Sequence, residues 1–410
     1  MFADVQIRQL NKKGEELCGD SVAWHRGAGE TLLVLSDGLG SGVKANILST
    51  LTQKIALTMF RERMPLDDVV ETLAATLPTC QVRQMAYSTF SLIRITEAGE
   101  LDIVEFDNPA TFFFRGCLLE ELHYEERQLG NYRLRQAHAR AEEGDSLVVA
   151  SDGLIHAGLG GREPLGWRWE PIAQHIEAFL SQDPEAEEIA DNLISSAENL
   201  YRGAIGDDTS VAVIKCRPFR QVTLVVGPPA DLRDDERMVE HLLGNPGKKI
   251  VCGGTTAKIV ARVKGVPLEV NLEAMSRDLP PSGRIEGIDL VTEGVITIMH
   301  ATGALDSVRL APRPRVNIHD LGFMYGKRDL RTLTREANRQ TPAQDEETPA
   351  QQLARALRLA DKVTILLGTA LNPAHQSADL PVQLGLKFHL VEHLTEKLRA
   401  RGKEVEVVKY

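Results

Sequence analysis

The sequence predicts two domains of different class: an α+β domain over residues 1–217, with sheets flanked by helices, and an α/β domain over residues 218–410 with a mostly parallel sheet. Three observations carry this reading. The first half is rich in short apolar and β-branched runs, with helices set apart from them, which is the pattern of packed sheets rather than of βα alternation. The second half alternates strand-like with helix-like stretches, the rhythm of parallel βα units. Between the halves Pro218 breaks one apolar run and a fresh one begins at Val222, a seam at 215–221.

The expected strands of the first half are 31–36, 88–95, 101–105, 111–115, 146–150 and 210–214, each bounded by Gly, Asp or Asn. After Gly42, the residues Leu48, Leu51, Ile55 and Met59 recur at three- and four-residue spacing, which predicts a helix that buries that face. Helices over 172–180 and 189–200 follow from the same periodicity. In the second half, strand 222–226 precedes helix 231–243, and strand 249–252 precedes helix 255–263. Strand 289–291, helices 293–305 and 351–359, strand 363–367, helix 382–401 and strand 404–408 complete the order. Prolines make 311–316 extended, and the polar stretch 340–352 reads as a surface loop or linker.

A chain of 410 residues, 43% hydrophobic and 26% charged, can bury full cores without staples. Its 47 Lys and Arg against 58 Asp and Glu leave a net charge of −11, which argues against a nucleic-acid partner and leaves room for a divalent cation. The five cysteines (Cys18, Cys80, Cys117, Cys216 and Cys252) include no Cys-x-x-Cys pair, as expected in a reducing compartment. Residues 1–20 have no apolar core between their charges, and the longest apolar runs are strand-sized. Neither a secretory leader nor a membrane span is expected, and the expected location is cytoplasmic.

The chemistry lies in acids that abut apolar strands. Leu32 to Ser36 runs into Asp37-Gly38, Leu147 to Ser151 runs into Asp152-Gly153, and Asp207-Asp208 leads into Ser210 to Ile214. Asp20 precedes a further strand-like segment. One such Asp-Gly is a turn signal and no more. Three carboxylates at one sheet edge would repel and raise one another's pKa, and hard divalent cations such as Mg²⁺ or Mn²⁺ relieve that repulsion. No His or Cys cluster accompanies the acids, so a zinc-type site is not expected. Paired divalent ions bridged by a carboxylate are an apparatus for phosphoester hydrolysis.

Five blocks occur in the order and approximate spacing of one family. They are Gly19-Asp20-Ser21, Leu35-Ser36-Asp37-Gly38-Leu39-Gly40-Ser41-Gly42 with Ala45, Tyr87-Ser88-Thr89, Ser151-Asp152-Gly153-Leu154, and Asp207-Asp208-Thr209-Ser210-Val211. Residues 1–217 thereby resemble the metal-dependent type 2C serine/threonine protein phosphatases, in the bacterial branch typified by stage II sporulation protein E. Asn108-Pro109-Ala110 followed by 112–116 resembles that branch's middle hairpin.

The resemblance implies two packed antiparallel sheets flanked by helices, and hydrolysis of phosphoserine or phosphothreonine by a metal-activated water with two Mn²⁺ or Mg²⁺ ions. Asp37 resembles the aspartate that bridges both ions, and Gly38 the carbonyl ligand. Asp152 and Asp207 resemble the remaining direct carboxylates, and Asp20 the acid that holds metal-bound water. Asp208 stands beside Asp207 as an alternative ligand. The catalytic set is therefore Asp37, Asp152 and Asp207. The implied substrate is a phosphorylated protein, such as an anti-sigma-factor antagonist in bacterial partner-switching signalling. Leu39 stands where many eukaryotic members have a proton-donating His. Arg8 is the candidate for gripping phosphate.

Other signals carry less. Ser41-x-x-Lys44 lacks the companion motifs of serine acyl-enzymes, and Gly38-x-Gly40-x-Gly42 lacks dinucleotide-fingerprint spacing. His156, beside the second Asp-Gly, could touch substrate. In the second domain, Gly227-Pro228-Pro229-Ala230 and Gly253-Gly254-Thr255-Thr256 each follow a strand and open a helix, and Gly368 to His375 follows another strand at the same edge. These are either anion sites or plain βα turns with Thr255 as an N-cap. Residues 218–410 resemble no family, and a regulatory or small-ligand-binding role is expected of them. The rival reading is a non-catalytic phosphoprotein or small-ligand sensor on the phosphatase fold. A third is that the second domain is itself an enzyme acting on a phosphorylated metabolite.

Overall fold

The computed structural model describes residues 1–76, 79–80, 85–86, 88–129, 132–161, 163–271, 282–305, 347–370 and 382–410. The expectations at Tyr87, at 311–316, at most of 340–352 and at 371–375 fall outside the described residues. The chain forms two compact units, Met1–Pro218 and Phe219–Tyr410.

The N-terminal unit begins with strands β1 (Phe2–Leu10), β2 (Asp20–Gly27) and β3 (Glu30–Gly38), then helices α1 (Gly42–Arg61) and α2 (Leu66–Thr76). A short pair, β4 (Thr79–Cys80) and β5 (Met85–Ala86), precedes β6 (Ser88–Thr96), β7 (Glu100–Phe106), β8 (Phe112–Arg115) and β9 (Leu118–Glu120). Then come β10 (Tyr124–Leu129), β11 (Tyr132–Arg140), β12 (Ser146–Ala150), helices α3 (Asp152–Ile155), α4 (Trp169–Leu180) and α5 (Ala186–Tyr201), and β13 (Thr209–Arg217). One sheet has the order β1-β13-β12-β8-β9 and the other β10-β11-β7-β6-β3-β2. Neighbours in both are antiparallel, as the family resemblance implied.

Four layers result, helices outside and sheets within. Leu33 and Leu35 of β3 point inward to meet Ile93, Ile103, Leu147, Val149, Ala212 and Ile214, the core between the sheets. Leu32 and Val34 alternate to the other face and pack against Phe60 of α1 and Val69 and Leu73 of α2. Val148 and Val213 likewise reach outward to Ile172 and Ile176 of α4 and Leu193 of α5. Both faces of the central strands are therefore buried, and their sequences read as unbroken apolar runs rather than as alternation.

Helix α1 departs from expectation. Its buried face is Gly42, Ala45, Ser49, Thr52, Ala56, Leu57 and Phe60, while Leu48, Ile55 and Met59 are only partly covered. Leu51 is 45% exposed, alongside Val43 and Ile47. The reason is steric: small residues let the helix lie close on β2 and β3, where large ones would hold it off.

In the C-terminal unit the order is β14 (Gln221–Val226), a 3₁₀ turn at Leu232–Asp234, α6 (Asp235–Gly244), β15 (Lys248–Cys252) and α7 (Gly254–Lys264). Strands β16 (Glu269–Asn271), β17 (Ser282–Arg284) and β18 (Leu290–Thr292) lead to α8 (Val295–Ala304). The unit closes with α9 (Pro349–Leu359), β19 (Lys362–Leu367), α10 (Val382–Ala400) and β20 (Glu404–Lys409). The sheet order is β16-β17-β18-β15-β14-β19-β20, parallel from β18 to β20 and antiparallel at the β16 and β17 edge. Helices cover both faces. Ile298, Leu353, Leu357 and Leu394 lie against Leu224 and Ile365 on one face, and Met238, Val239 and Val260 against Val225 and Val251 on the other. From β14 the chain builds outward through β15 and β18, then returns to β14's other side with β19, so the β14–β19 boundary is the switch point of the sheet. Among the described residues no helix is long and apolar enough to cross a membrane.

One histidine in the N-terminal unit gives the fold a pH dependence. The ring of His175 packs edge-on against Trp167, and its Nε2–H donates to Asn192 Oδ1 at 2.6 Å. Burial holds its pKa below the ordinary value of 6.5, although the Asn192 bond works the other way. Below pH 6.5 the unfolded chain binds a proton that the folded one resists, so stability falls as pH falls. His175 adds a slope of at most about 1.4 kcal/mol per pH unit. Denaturant unfolding of wild type and His175→Gln from pH 7.5 to 5 should show a shallower loss in the variant.

Candidate metal centre

All of the singled-out acids sit where a strand begins or ends. Asp20 opens β2 and Asp37 lies near the end of β3, and the two are direct partners in the antiparallel register, so their side chains share a face. Asp152 opens α3 immediately after β12. Asp207 and Asp208 stand just before β13, which pairs with β12 in the other sheet. The ends of β2 and β3 and of β12 and β13 thus bring acids from both sheets to one edge of the sandwich.

Their electrostatics show how close they come. Burial pushes the Asp37 carboxyl up to about 9, aided by the negative charges of Asp20, Asp152 and Asp207. Burial also raises Asp20, to about 6, against the Ser210 and Ser151 hydroxyls that favour its charged form. Ser210 Oγ donates to Asp20 Oδ2 at 2.7 Å. Asp152 is raised by burial and by Asp207, with His156 and Lys12 opposing. Among the described residues, no three carboxylate, imidazole or thiol groups are drawn into finished coordination geometry. The structure therefore gathers Asp20, Asp37, Asp152 and Asp207 within electrostatic reach of one another without closing a ligand shell. The donor set is all oxygen, and a cation would favour the ionised form of a carboxyl that burial and its neighbours' charges push upward. By both measures the residues fit a hard divalent ion.

The two acids at 207 and 208 do different things. Asp208 is buried, and its Oδ1 and Oδ2 accept the backbone N–H groups of Lys12 (2.8 Å) and Gly19 (2.9 Å). It clamps the loop between β1 and β2. The Asp207 side chain is 41% exposed and meets Lys12 Nζ at 3.4 Å. Lys12 lies 195 residues from Asp207 in sequence, and the loop between β1 and β2 brings it there. Glu15 of the same loop accepts from Ser41 Oγ at 2.9 Å, ahead of α1.

Gly38 is required by close approach, since a Cβ there would lie 2.1 Å from the carbonyl oxygen of Ala45 in α1. Gly153 is equally confined, since a Cβ there would lie 2.1 Å from Asp208 O. Arg8 does not face the acids with a free guanidinium. It is paired with Asp191 at 2.6 Å and Glu187 at 3.4 Å, on α5. His156 is about half exposed, with Nδ1 3.8 Å from Asp152 Oδ2. A cleft of about 380 Å³ lies beside Asp152, lined by Asn108, Pro109, Ala110, His156 and Trp169. A second of about 380 Å³ lies between His156, Tyr201 and Asp207. Both clefts flank the acids, and neither is lined by Asp20 or Asp37.

The family model of stage II sporulation protein E matches residues 27–217. Residues 27–217 form a domain of the stage II sporulation protein E family. No curated protein matches the chain. Among solved structures, the phosphatase domain of SpoIIE from Bacillus subtilis is similar over 52% of this chain and 92% of that one, at 21% identity and a TM-score of 0.41. The same domain with a fragment of its regulatory domain is similar over 52% of this chain and 63% of that one, at 21% identity and a TM-score of 0.46. RsbX in complex with magnesium is similar over 52% and 98%, at 18% identity and a TM-score of 0.37. The match of the SpoIIE-family domain stops at Arg217, the last residue of β13.

Gly38→Ala should destabilise this domain by about 1–3 kcal/mol in denaturant unfolding, because α1 must move away from β3 to admit the methyl group. Asp208→Asn keeps one acceptor oxygen of two and should cost about 1–3 kcal/mol, whereas Asp207→Asn should leave the unfolding midpoint within about 0.5 kcal/mol of wild type.

Proposed function

We propose that the chain is a metal-dependent protein serine/threonine phosphatase acting in bacterial partner-switching signalling, with a phosphorylated protein such as an anti-sigma-factor antagonist as substrate. The observation that carries the proposal is the gathering of Asp20, Asp37, Asp152 and Asp207 at one edge of a SpoIIE-family domain, with Asp37 held far above an ordinary carboxyl. When bound, Mn²⁺ or Mg²⁺ ions activate water and offset charge on the phosphoryl oxygens.

The residues of the chain do the rest. Asp37 and Asp152 supply carboxylate oxygens toward the ions, and Gly38 a backbone carbonyl. The exposure of Asp207 and the commitment of Asp208 to two backbone N–H groups support Asp207 as the ligand of that pair. Asp20, fixed by Ser210, serves to hold and orient water rather than to contact an ion directly. Lys12 stands ready to steady Asp207 before cations arrive. The clefts beside Asp152 and Asp207 offer room for the phosphorylated side chain and its neighbours. The C-terminal unit then has a regulatory, ligand-sensing role.

Phosphate release from p-nitrophenyl phosphate and from a phosphoserine peptide tests this in Mn²⁺, Mg²⁺ and chelator. Turnover should require metal and fall by about 100-fold or more in Asp37→Asn and in Asp152→Asn, since a metal ligand supports several kcal/mol of transition-state stabilisation. Asp207→Asn should lose activity with unchanged stability. Activity that survives Asp37→Asn would refute the assignment, and phosphopeptide binding without turnover would favour the sensor instead.

A further inference from the structure

The C-terminal edge of the second sheet carries a feature that the phosphatase reading does not use. Three strands there, β14, β15 and β19, are each followed by a glycine whose N–H donates to the neighbouring strand's last residue: Gly368 to Val226 at 2.9 Å, Gly227 to Cys252 at 3.5 Å, and Gly253 to Thr292 at 2.9 Å. Gly294 lies two residues after Thr292, and a Cβ on it would lie 3.4 Å from Gly253 Cα. Gly253 and Gly294 are the N-caps of α7 and α8. The two helices, of 11 and 10 residues, therefore start side by side.

Among the described residues no side chain caps either start. Both caps lack a side chain, and Thr255 is not the cap expected from sequence but the second residue of α7. Neither first turn contains an acid. The N–H groups of Gly254, Thr255, Thr256, Val295, Ile296 and Thr297 have no acceptor within their own helices. The independent observation is a matched pair of hydroxyls. Thr256 and Thr297 each hold the third position of their helix and are 0% and 2% exposed, and each Oγ1 finds no hydrogen-bond partner among the described residues. Thr256 Oγ1 faces the cap, 3.1 Å from where a Gly253 Cβ would stand. A buried hydroxyl without a partner is costly, and the same device at two adjoining helix starts calls for an acceptor-rich ligand.

Local charge agrees with an anion. Two helix N-termini add partial positive charge, and Lys387 Nζ sits at the same edge, donating to Gly368 O and Ala370 O beside Gly227. Glu293, the acid next to the α8 cap, is exposed to solvent.

We infer that the paired N-termini of α7 and α8, with the Thr256 and Thr297 hydroxyls, form a binding site for a phosphate group, free or on a small phosphorylated molecule. The site belongs to the C-terminal unit alone and stands or falls apart from the metal centre. The phosphate oxygens would accept from the first-turn N–H groups and from both hydroxyls, none of which a side chain satisfies among the described residues.

Calorimetric titration of the full chain with inorganic phosphate, in chelator so that the acidic edge of the first unit repels the anion, tests the inference. Wild type should bind one phosphate. Thr256→Val and Thr297→Val should each bind about tenfold more weakly, and Thr256→Ser should retain binding. In phosphate-free buffer the valine variants should melt at the wild-type temperature or above it, because each removes an unpartnered hydroxyl without changing side-chain shape. A sugar phosphate or nucleoside monophosphate that binds more tightly than inorganic phosphate, with the same loss in the valine variants, would identify an esterified ligand. Absence of phosphate binding to wild type, binding unaffected by both valines, or valine variants that melt lower without phosphate would each overturn it.

Discussion

Carboxylates crowded at one sheet edge drive one another toward the neutral form, and the N-terminal unit is organised around holding them together in spite of this. Asp20 and Asp37 are partners across β2 and β3, so neither can turn away without breaking the strand register. Asp152 and Asp207 are fixed by β12 and β13, strands buried on both faces. Asp208 spends its charge on the backbone of the β1–β2 loop, and that loop returns Lys12 to Asp207. The repulsion is opposed by packing elsewhere: Leu32, Leu33, Leu35, Leu147 and Val149 are all fully buried, each side chain contributing about 1.5–3 kcal/mol.

Close packing of α1 belongs to the same arrangement. The helix starts four residues after Gly38, and Ala45 sits against that glycine's backbone. Position and orientation of Asp37 are therefore tied to how α1 lies on the sheet. The small residues along its inner face permit that fit, and they leave Val43, Ile47 and Leu51 outside.

In both units the chemically capable groups stand at strand ends. A strand buried on both faces admits a charged side chain only where a partner meets it, as Asp183 meets Lys215 of β13, and its backbone polar groups are consumed by its neighbours. Only at the terminus, where the chain leaves the sheet, can an acid, a glycine carbonyl or a bare helix N-terminus face solvent or a ligand. The first unit places carboxylates there, and the second places glycines and threonines.

Much of this was legible in the residues. The central strands at 31–36, 146–150 and 210–214 read clearly because burial of both faces leaves an uninterrupted apolar signal, and the βα order of the second half read clearly for the same reason. Edge strands did not: β1 contains Gln6, Arg8 and Gln9, and β10 is largely charged, because one side of each faces water or a loop. The buried face of α1 was misassigned because periodicity counts large apolar residues, whereas that helix packs through Ala, Ser and Thr. Local pattern alone determined which acids adjoin strands, and their order carried a family resemblance over residues 1–217, of which the family model matches 27–217. Tertiary structure alone decided that Asp208 is a clamp, that Lys12 neighbours Asp207, that Arg8 is tied to α5, and that the starts of α7 and α8 adjoin. Each of these joins residues far apart in the chain, and spacing along a sequence holds no information about which distant loops the packed core will bring together.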